Sequence, residues 1–171
     1  SHYGSFVVKI HGRLIPVIQS MISDGQAVGT YTYRDPRDVI LSAMDHARRA
    51  SGNEDYFKNF SSIEASIPMV KRMCRNAAEW MGSGLVHAIR YTDLVSDPAR
   101  EVKKVSLYLG LEVEETEIEE IIKRHEARKA PGVAQFNTGK LTRFRKEMTA
   151  EEIRLCNEML EREILSLGYE I

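Results

Sequence analysis

At 171 residues the chain has the length of one domain with room for a sizeable core, and its 43% hydrophobic and 29% charged residues exclude a disordered or fibrous class. A formal net charge of −1 implies no extended polyanion-binding surface, so nucleic acid is not expected as a partner, although a nucleotide-sized anion needs only a few local cations. No apolar run approaches the roughly 20 residues of a membrane span, and Cys74 and Cys156, far apart and without C-x-x-C spacing, fit buried free thiols of a reducing, cytoplasmic compartment.

Residues 5–10 are apolar enough for a first strand, with His11-Gly12-Arg13 at its end. On a strand, positions 9 and 11 face the same way, so Lys9 and His11 can reach one site. A neutral imidazole accepts a proton near pH 7, and a fixed cation stabilises negative charge that develops on a leaving group. An exposed lysine beside a surface histidine is the plainer alternative. Leu14 to Ile22 predicts a helix or turn, ended by Asp24-Gly25.

Residues 27–33 are β-branched and aromatic, which predicts a buried strand. Asp35 then offers a helix cap, Pro36 fits the first helical position, and Asp38 adds negative charge in the first turn. Val39, Ile40, Ala43, Met44 and Ala47 form an apolar helical stripe. Arg34 thus falls at the carboxyl end of a strand and beside the amino end of a helix, a place where α/β proteins bind anions. On spacing alone, a solvated arginine next to two aspartates fits equally well.

The stretch after Ser51, with Tyr56, Phe57 and Phe60, predicts a loop over a site mouth or a connector with its aromatics packed down. Ser62 to Met81 is a long amphipathic helix that Pro68 kinks or splits, with Trp80 in the core. Residues 85–90 predict the next strand. Asp97-Pro98 caps a helix that stops at Gly110. Val113 to Arg128 is acidic then basic, which suits a solvated helix matched to its own dipole. Residues 130–146 predict a loop, and Thr149-Ala150-Glu151-Glu152 is a capping box that opens the last helix, to Leu167. No His/Cys/Asp/Glu cluster has ligand spacing, so no metal is expected. The fold class expected is α/β, a short and mainly parallel sheet flanked by helices in a single domain over residues 1–171.

Four stretches, in this order, resemble sulfotransferases that use the sulfate donor PAPS. Lys9-Ile10-His11 is similar to the family's K-x-H element. Arg34-Asp35-Pro36-Arg37-Asp38-Val39, with Ser42 eight residues after Arg34, resembles its 3′-phosphate motif. Arg90-Tyr91-Thr92-Asp93-Leu94, followed by Asp97-Pro98, looks like its R-Y-E-D-L…D-P element, and residues 136–145 have the frame F-R-K-G-x-x-G-x-W-x of its second phosphate loop.

The resemblance implies a fold related to P-loop nucleotide kinases and sulfuryl transfer from PAPS, leaving PAP (adenosine 3′,5′-bisphosphate), to a hydroxyl or amine of a small-molecule acceptor. It makes His11 the base and Lys9 the stabiliser of the leaving oxygen. Arg34 and Ser42 become the 3′-phosphate clamp, and Tyr91 an adenine contact. Asn137, Thr138, Gly139 and Lys140 become the second phosphate loop. There Asn137 and Thr138 stand where the family has arginine and lysine, so donors remain but charge is lost, and Lys140 and Arg143 are the nearest substitutes. Neither a P-loop (G-x-x-x-x-G-K-S/T) nor the family's P-K-S-G-T-type 5′-phosphosulfate loop occurs. The resemblance therefore covers the carboxyl-terminal two-thirds of a family domain, and the expectation is an N-terminally incomplete one. A non-catalytic PAP- or nucleotide-binding or interaction module of the same fold is the alternative. Phosphoryl transfer fits less well, because Lys9 and His11 have no obvious place in a kinase and no acidic Mg²⁺ ligand pair is evident.

Overall fold

A computed structural model describes residues 7–10, 12–49, 60–127 and 141–171. In chain order the elements are α1 (Pro16–Ser23), β1 (Gly29–Tyr33), α2 (Pro36–Arg49), α3 (Ile63–Gly82), β2 (Val86–Arg90), α4 (Tyr91–Ser96), α5 (Pro98–Tyr108), α6 (Glu115–Ala127), α7 (Phe144–Glu147) and α8 (Ala150–Ser166). β1 and β2 pair in parallel, from Gly29 opposite Val86 to Tyr33 opposite Arg90. Parallel neighbours need a long crossover, and α2 and α3 lie within the one between them. Gly29 suits that close pairing, since a Cβ there would lie 2.8 Å from Cγ1 of Val86 and would force it to shift.

The caps form as the local sequence dictates. Asp35 Oδ1 accepts the Arg37 N–H at 2.9 Å, Asp97 Oδ1 accepts the Arg100 N–H at 3.1 Å, and Thr149 and Glu152 close a reciprocal capping box. The core is the meeting of three amphipathic helices. Ile40 and Leu41 of α2, Ile63, Ile67, Val70, Cys74 and Ala77 of α3, and Cys156, Leu160 and Ile164 of α8 form one buried cluster. Burying each large aliphatic side chain contributes about 1.5–3 kcal/mol, so this helical layer anchors the small sheet. Trp80 is buried as expected. It stacks on Tyr31 and donates its indole N–H to the Gly12 carbonyl at 3.0 Å.

The structure differs from the sequence expectation in several places. Residues 7–10 form no strand; Val7 is 98% exposed and Val8 64%, and no described strand pairs with them, so a strand there would gain neither a ladder nor a buried face. The strand expected from 27 begins at Gly29, because the Gln26 and Ala27 N–H groups are used on the Met21 carbonyl to close α1. Of the kink or split expected at Pro68, the split does not occur, since α3 is one helix. Residues 91–96, directly after β2, and the end of the loop expected over 130–146 each form a short helix, α4 and α7. Of the aromatics after Ser51, Phe60 is described, and it is packed down into the core. No described helix is long and apolar enough to cross a membrane.

Candidate functional site

The parallel register builds the site. Tyr33 and Arg90 are partners at the last rung, so the next residues, Arg34 and Tyr91, leave the sheet side by side at its carboxyl edge. There Cζ of Arg34 lies 4.6 Å over the centroid of the Tyr91 ring. The first turn of α2 follows at once, capped by Asp35, which directs its unpaired N–H groups and dipole toward the same edge.

The two arginines of the Arg34–Asp38 stretch have different fates. Arg37 is 3% exposed and spends its donors inside the protein. Its Nε and Nη2 donate to Asp35 at 2.9 and 2.7 Å, Nη1 to Asn157 Oδ1 at 3.0 Å, and Nη2 also to the Glu170 carbonyl at 2.7 Å. It lies 3.9 Å over the Phe144 ring as well. Arg37 therefore ties α2 to α8 and to the carboxyl-terminal tail. Arg34 keeps 15% of its side chain exposed, beside Tyr91. Its Nε and Nη2 donate to Asp38 Oδ2 at 3.2 and 2.8 Å. Asp38 is 1% exposed, and its other oxygen accepts the Phe144 N–H at 3.0 Å. Ser42 is half-buried on α2, one turn past Asp38.

The 141–144 turn closes against α2 from the other side. Arg143 is 5% exposed; it donates to Glu147 at 2.9 and 2.7 Å and pairs with Asp45 at 2.7 Å. Those bonds, to Glu147 first and then to Asp45, outweigh the burial and raise its pKa above the ordinary value. Its guanidinium is thus paired within the fold, with Glu147 and Asp45. Thr142 has a φ of 51°, in the left-handed region. A cleft of about 310 Å³ adjoins the site, lined among others by Asp35, Asp38, Arg90, Thr92, Phe144 and Arg145. Arg34 and Tyr91 do not line it, so the cleft flanks them rather than contains them. Arg90 closes one side by donating to the Gly168 carbonyl and stacking on Tyr169.

Of the residues singled out from sequence, Arg34 and Tyr91 are in contact, and Ser42 lies on the helix that Arg34 precedes. Lys9 is exposed in segment 7–10 and makes no described contact with them. His11, Asn137, Thr138, Gly139 and Lys140 lie outside the described residues. Sequence reasoning saw Asp38 only as a first-turn charge and missed its link to Phe144. The alternation of arginine and aspartate over residues 34–38, with Arg34 and Asp38 four apart, was the available signal.

A sulfotransferase domain family model matches residues 15–160. No curated protein sequence matches the chain. Among solved structures, mouse sulfotransferase SULT7A1 complexed with PAP aligns with a TM-score of 0.68 at 16% identity, over 85% of this chain and 60% of that one. Retinol dehydratase in complex with androsterone and the inactive cofactor PAP aligns with a TM-score of 0.64 at 16% identity, over 91% of this chain and 50% of that one. The chain therefore spans about half to three-fifths of these structures' length, and at such identity they speak for the fold. With the domain model running from α1 into α8, the chain belongs to the sulfotransferase domain family.

Proposed function

We propose that this chain is the part of a PAPS-dependent sulfotransferase that grips the 3′-phosphate end of the donor, in an enzyme that moves the sulfuryl group to a hydroxyl or amine of a small-molecule acceptor. The observation that carries this reading is Arg34, held between Asp38 and the Tyr91 ring at the carboxyl edge of a parallel sheet and at the amino end of α2. A guanidinium there can bind phosphate through a bidentate fork, and the helix dipole adds to the attraction. In this reading Arg34 and Ser42 hold the 3′-phosphate and Tyr91 meets the adenine. Asn137, Thr138, Gly139 and Lys140 complete the phosphate loop with neutral donors and one cation. His11 takes the acceptor's proton, and Lys9 neutralises charge on the oxygen that leaves sulfur. The family's 5′-phosphosulfate loop has no match within these 171 residues. A cytoplasmic setting agrees with two buried free thiols.

Calorimetric titration with PAP and with adenosine 5′-phosphate, which lacks the 3′-phosphate, tests the reading. The wild type should prefer PAP. Arg34→Ala should weaken PAP by about 1.5–3 kcal/mol, the range for a bond to a charged group, and leave adenosine 5′-phosphate nearly unchanged. Arg34→Lys, which keeps a charge against the buried Asp38, guards against a loss caused by unfolding. Equal affinity of the wild type for the two nucleotides rejects the reading. PAP binding with no turnover, in a chain that also carries a phosphosulfate loop, would favour a non-catalytic module. In an active chain, His11→Ala should lower turnover by at least about 10²-fold and abolish the acidic limb of the pH profile.

A further inference from the structure

We propose that Asp38 is a positioning residue that couples Arg34 to the 141–144 turn, so that a 3′-phosphate held by Arg34 also sets that turn. This rests on the reading of Arg34 given above. The geometry is a divided carboxylate. Oδ2 receives both Nε and Nη2 of Arg34, at 3.2 and 2.8 Å, and Oδ1 receives the Phe144 N–H at 3.0 Å, from a residue 106 positions away in sequence. Asp38 is 1% exposed, so water does not replace either partner. A first-turn aspartate serving only the helix dipole would sit at the surface. This one is buried, with each oxygen assigned to a different part of the chain.

The chemistry requires a carboxylate. Both oxygens of Asp38 accept, whereas an asparagine offers one acceptor and one donor. With its oxygen on the Phe144 N–H, an asparagine would turn N–H groups toward the N–H groups of Arg34. With its oxygen on Arg34, it would oppose the Phe144 donor. Either way one arm is lost. The same turn is fixed to α2 a second time, because Arg143 pairs with Asp45. A shift of Arg34 toward a phosphate is therefore felt at Phe144 through a short, buried connection rather than through solvent. Coupling of this kind is reciprocal, so the turn also sets how Arg34 is presented.

The test uses amide hydrogen exchange at Phe144 in the intact chain, with PAP or adenosine 5′-phosphate at saturation. PAP should slow exchange at least about fivefold more than adenosine 5′-phosphate, the lower end of ordinary coupling between sites. Equal protection by the two nucleotides overturns the proposal. Asp38→Asn gives a second arm: it should lose the preference for PAP, the protection of Phe144, or both. An Asp38→Asn protein with both intact also overturns it. If the wild type binds the two nucleotides equally, the 3′-phosphate reading fails and takes the coupling with it. If the wild type prefers PAP but Phe144 does not distinguish the nucleotides, the coupling alone fails.

Discussion

Arg34 lies with its guanidinium 4.6 Å over the ring of Tyr91, and the two residues follow directly on the last paired rung of β1 and β2. A cation over an aromatic face gains about 0.5–1 kcal/mol at an exposed site and more where water is excluded. The stack therefore does two things at once: it limits the swing of the arginine and fixes the plane of a ring on which a base can lie.

Tyr91→Ala should then weaken PAP and adenosine 5′-phosphate alike, by about 1–3 kcal/mol, the usual worth of a base stacked on an aromatic ring. Tyr91→Phe keeps the face and should change little. Calorimetry on the two nucleotides decides the matter. A loss confined to PAP would mean that Tyr91 acts only by holding Arg34, and the adenine contact would have to be sought elsewhere.

Arg37 stands three residues from Arg34 and should behave in the opposite way. It is buried against Asp35, Asn157, the Glu170 carbonyl and the Phe144 ring. Arg37→Ala leaves the buried Asp35 carboxylate without its counter-charge and frees the tail. The expected cost is about 3–5 kcal/mol of stability, as for other buried pairs broken on one side, read from urea unfolding. In the protein that remains folded, the preference for PAP over adenosine 5′-phosphate should persist. Loss of that preference at unchanged stability would reverse the roles given to the two arginines.

What could be read from the sequence was local. The caps at Asp35, Asp97 and Thr149 depend on residues within three positions, and each forms its expected bond. The strands that became β1 and β2 carried β-branched and aromatic signals. Residues 5–10 carried an equally apolar pattern, yet 7–10 form no strand, because a strand needs a partner that its own residues do not specify. In the site, Arg34 was visible from its place at a strand end. Its contact with Tyr91 was not, since it depends on the register of two strands separated by α2 and α3. Nor could the sequence say which arginine of residues 34–38 would be buried. That depends on Asn157 and Glu170, 120 and 133 residues from Arg37.

The two thiols give an alkaline limit to stability. Burial, aided by the negative charge of Glu163, pushes the Cys74 thiol up to about 12, and burial pushes Cys156 up to about 11. A thiol whose pKa is raised in the folded state stays protonated there after it has ionised in the unfolded chain. Its contribution is therefore complete below the unfolded value, near pH 8.5–9, and is lost as pH rises through the folded one. Unfolding free energy should fall between about pH 9 and 12, by on the order of 1 kcal/mol per pH unit for each thiol. Cys74→Ala should make that slope shallower. Tyr169, also raised by burial, contributes to the limb in both proteins, whereas Tyr31 is raised by burial and by the Cys74 thiolate, so the difference reports Cys74 together with its effect on Tyr31. Parallel slopes would mean that Cys74 does not titrate with unfolding.

Thr142 is the described non-glycine residue with a left-handed backbone, at φ 51°. A β-branched side chain is poorly suited to that region, and the conformation costs about 1–2 kcal/mol. Two things hold it there. The hydroxyl bonds the Leu141 carbonyl at 2.8 Å, and the next two residues are fixed, Arg143 by Asp45 and Glu147, and Phe144 by Asp38. In the phosphate-loop frame of the resemblance, Thr142 occupies the second glycine. Thr142→Gly should relieve the strain, while glycine's greater freedom in the unfolded chain offsets about 0.5–1 kcal/mol of the gain. The expected outcome is a protein as stable as the wild type or more stable by up to about 1 kcal/mol. Thr142→Val keeps the branching and loses the hydroxyl, so it should be less stable than the wild type. Thermal unfolding of the three proteins ranks them. If glycine destabilises the fold while valine does not, the threonine side chain holds the turn by packing, and strain at position 142 is not what limits it.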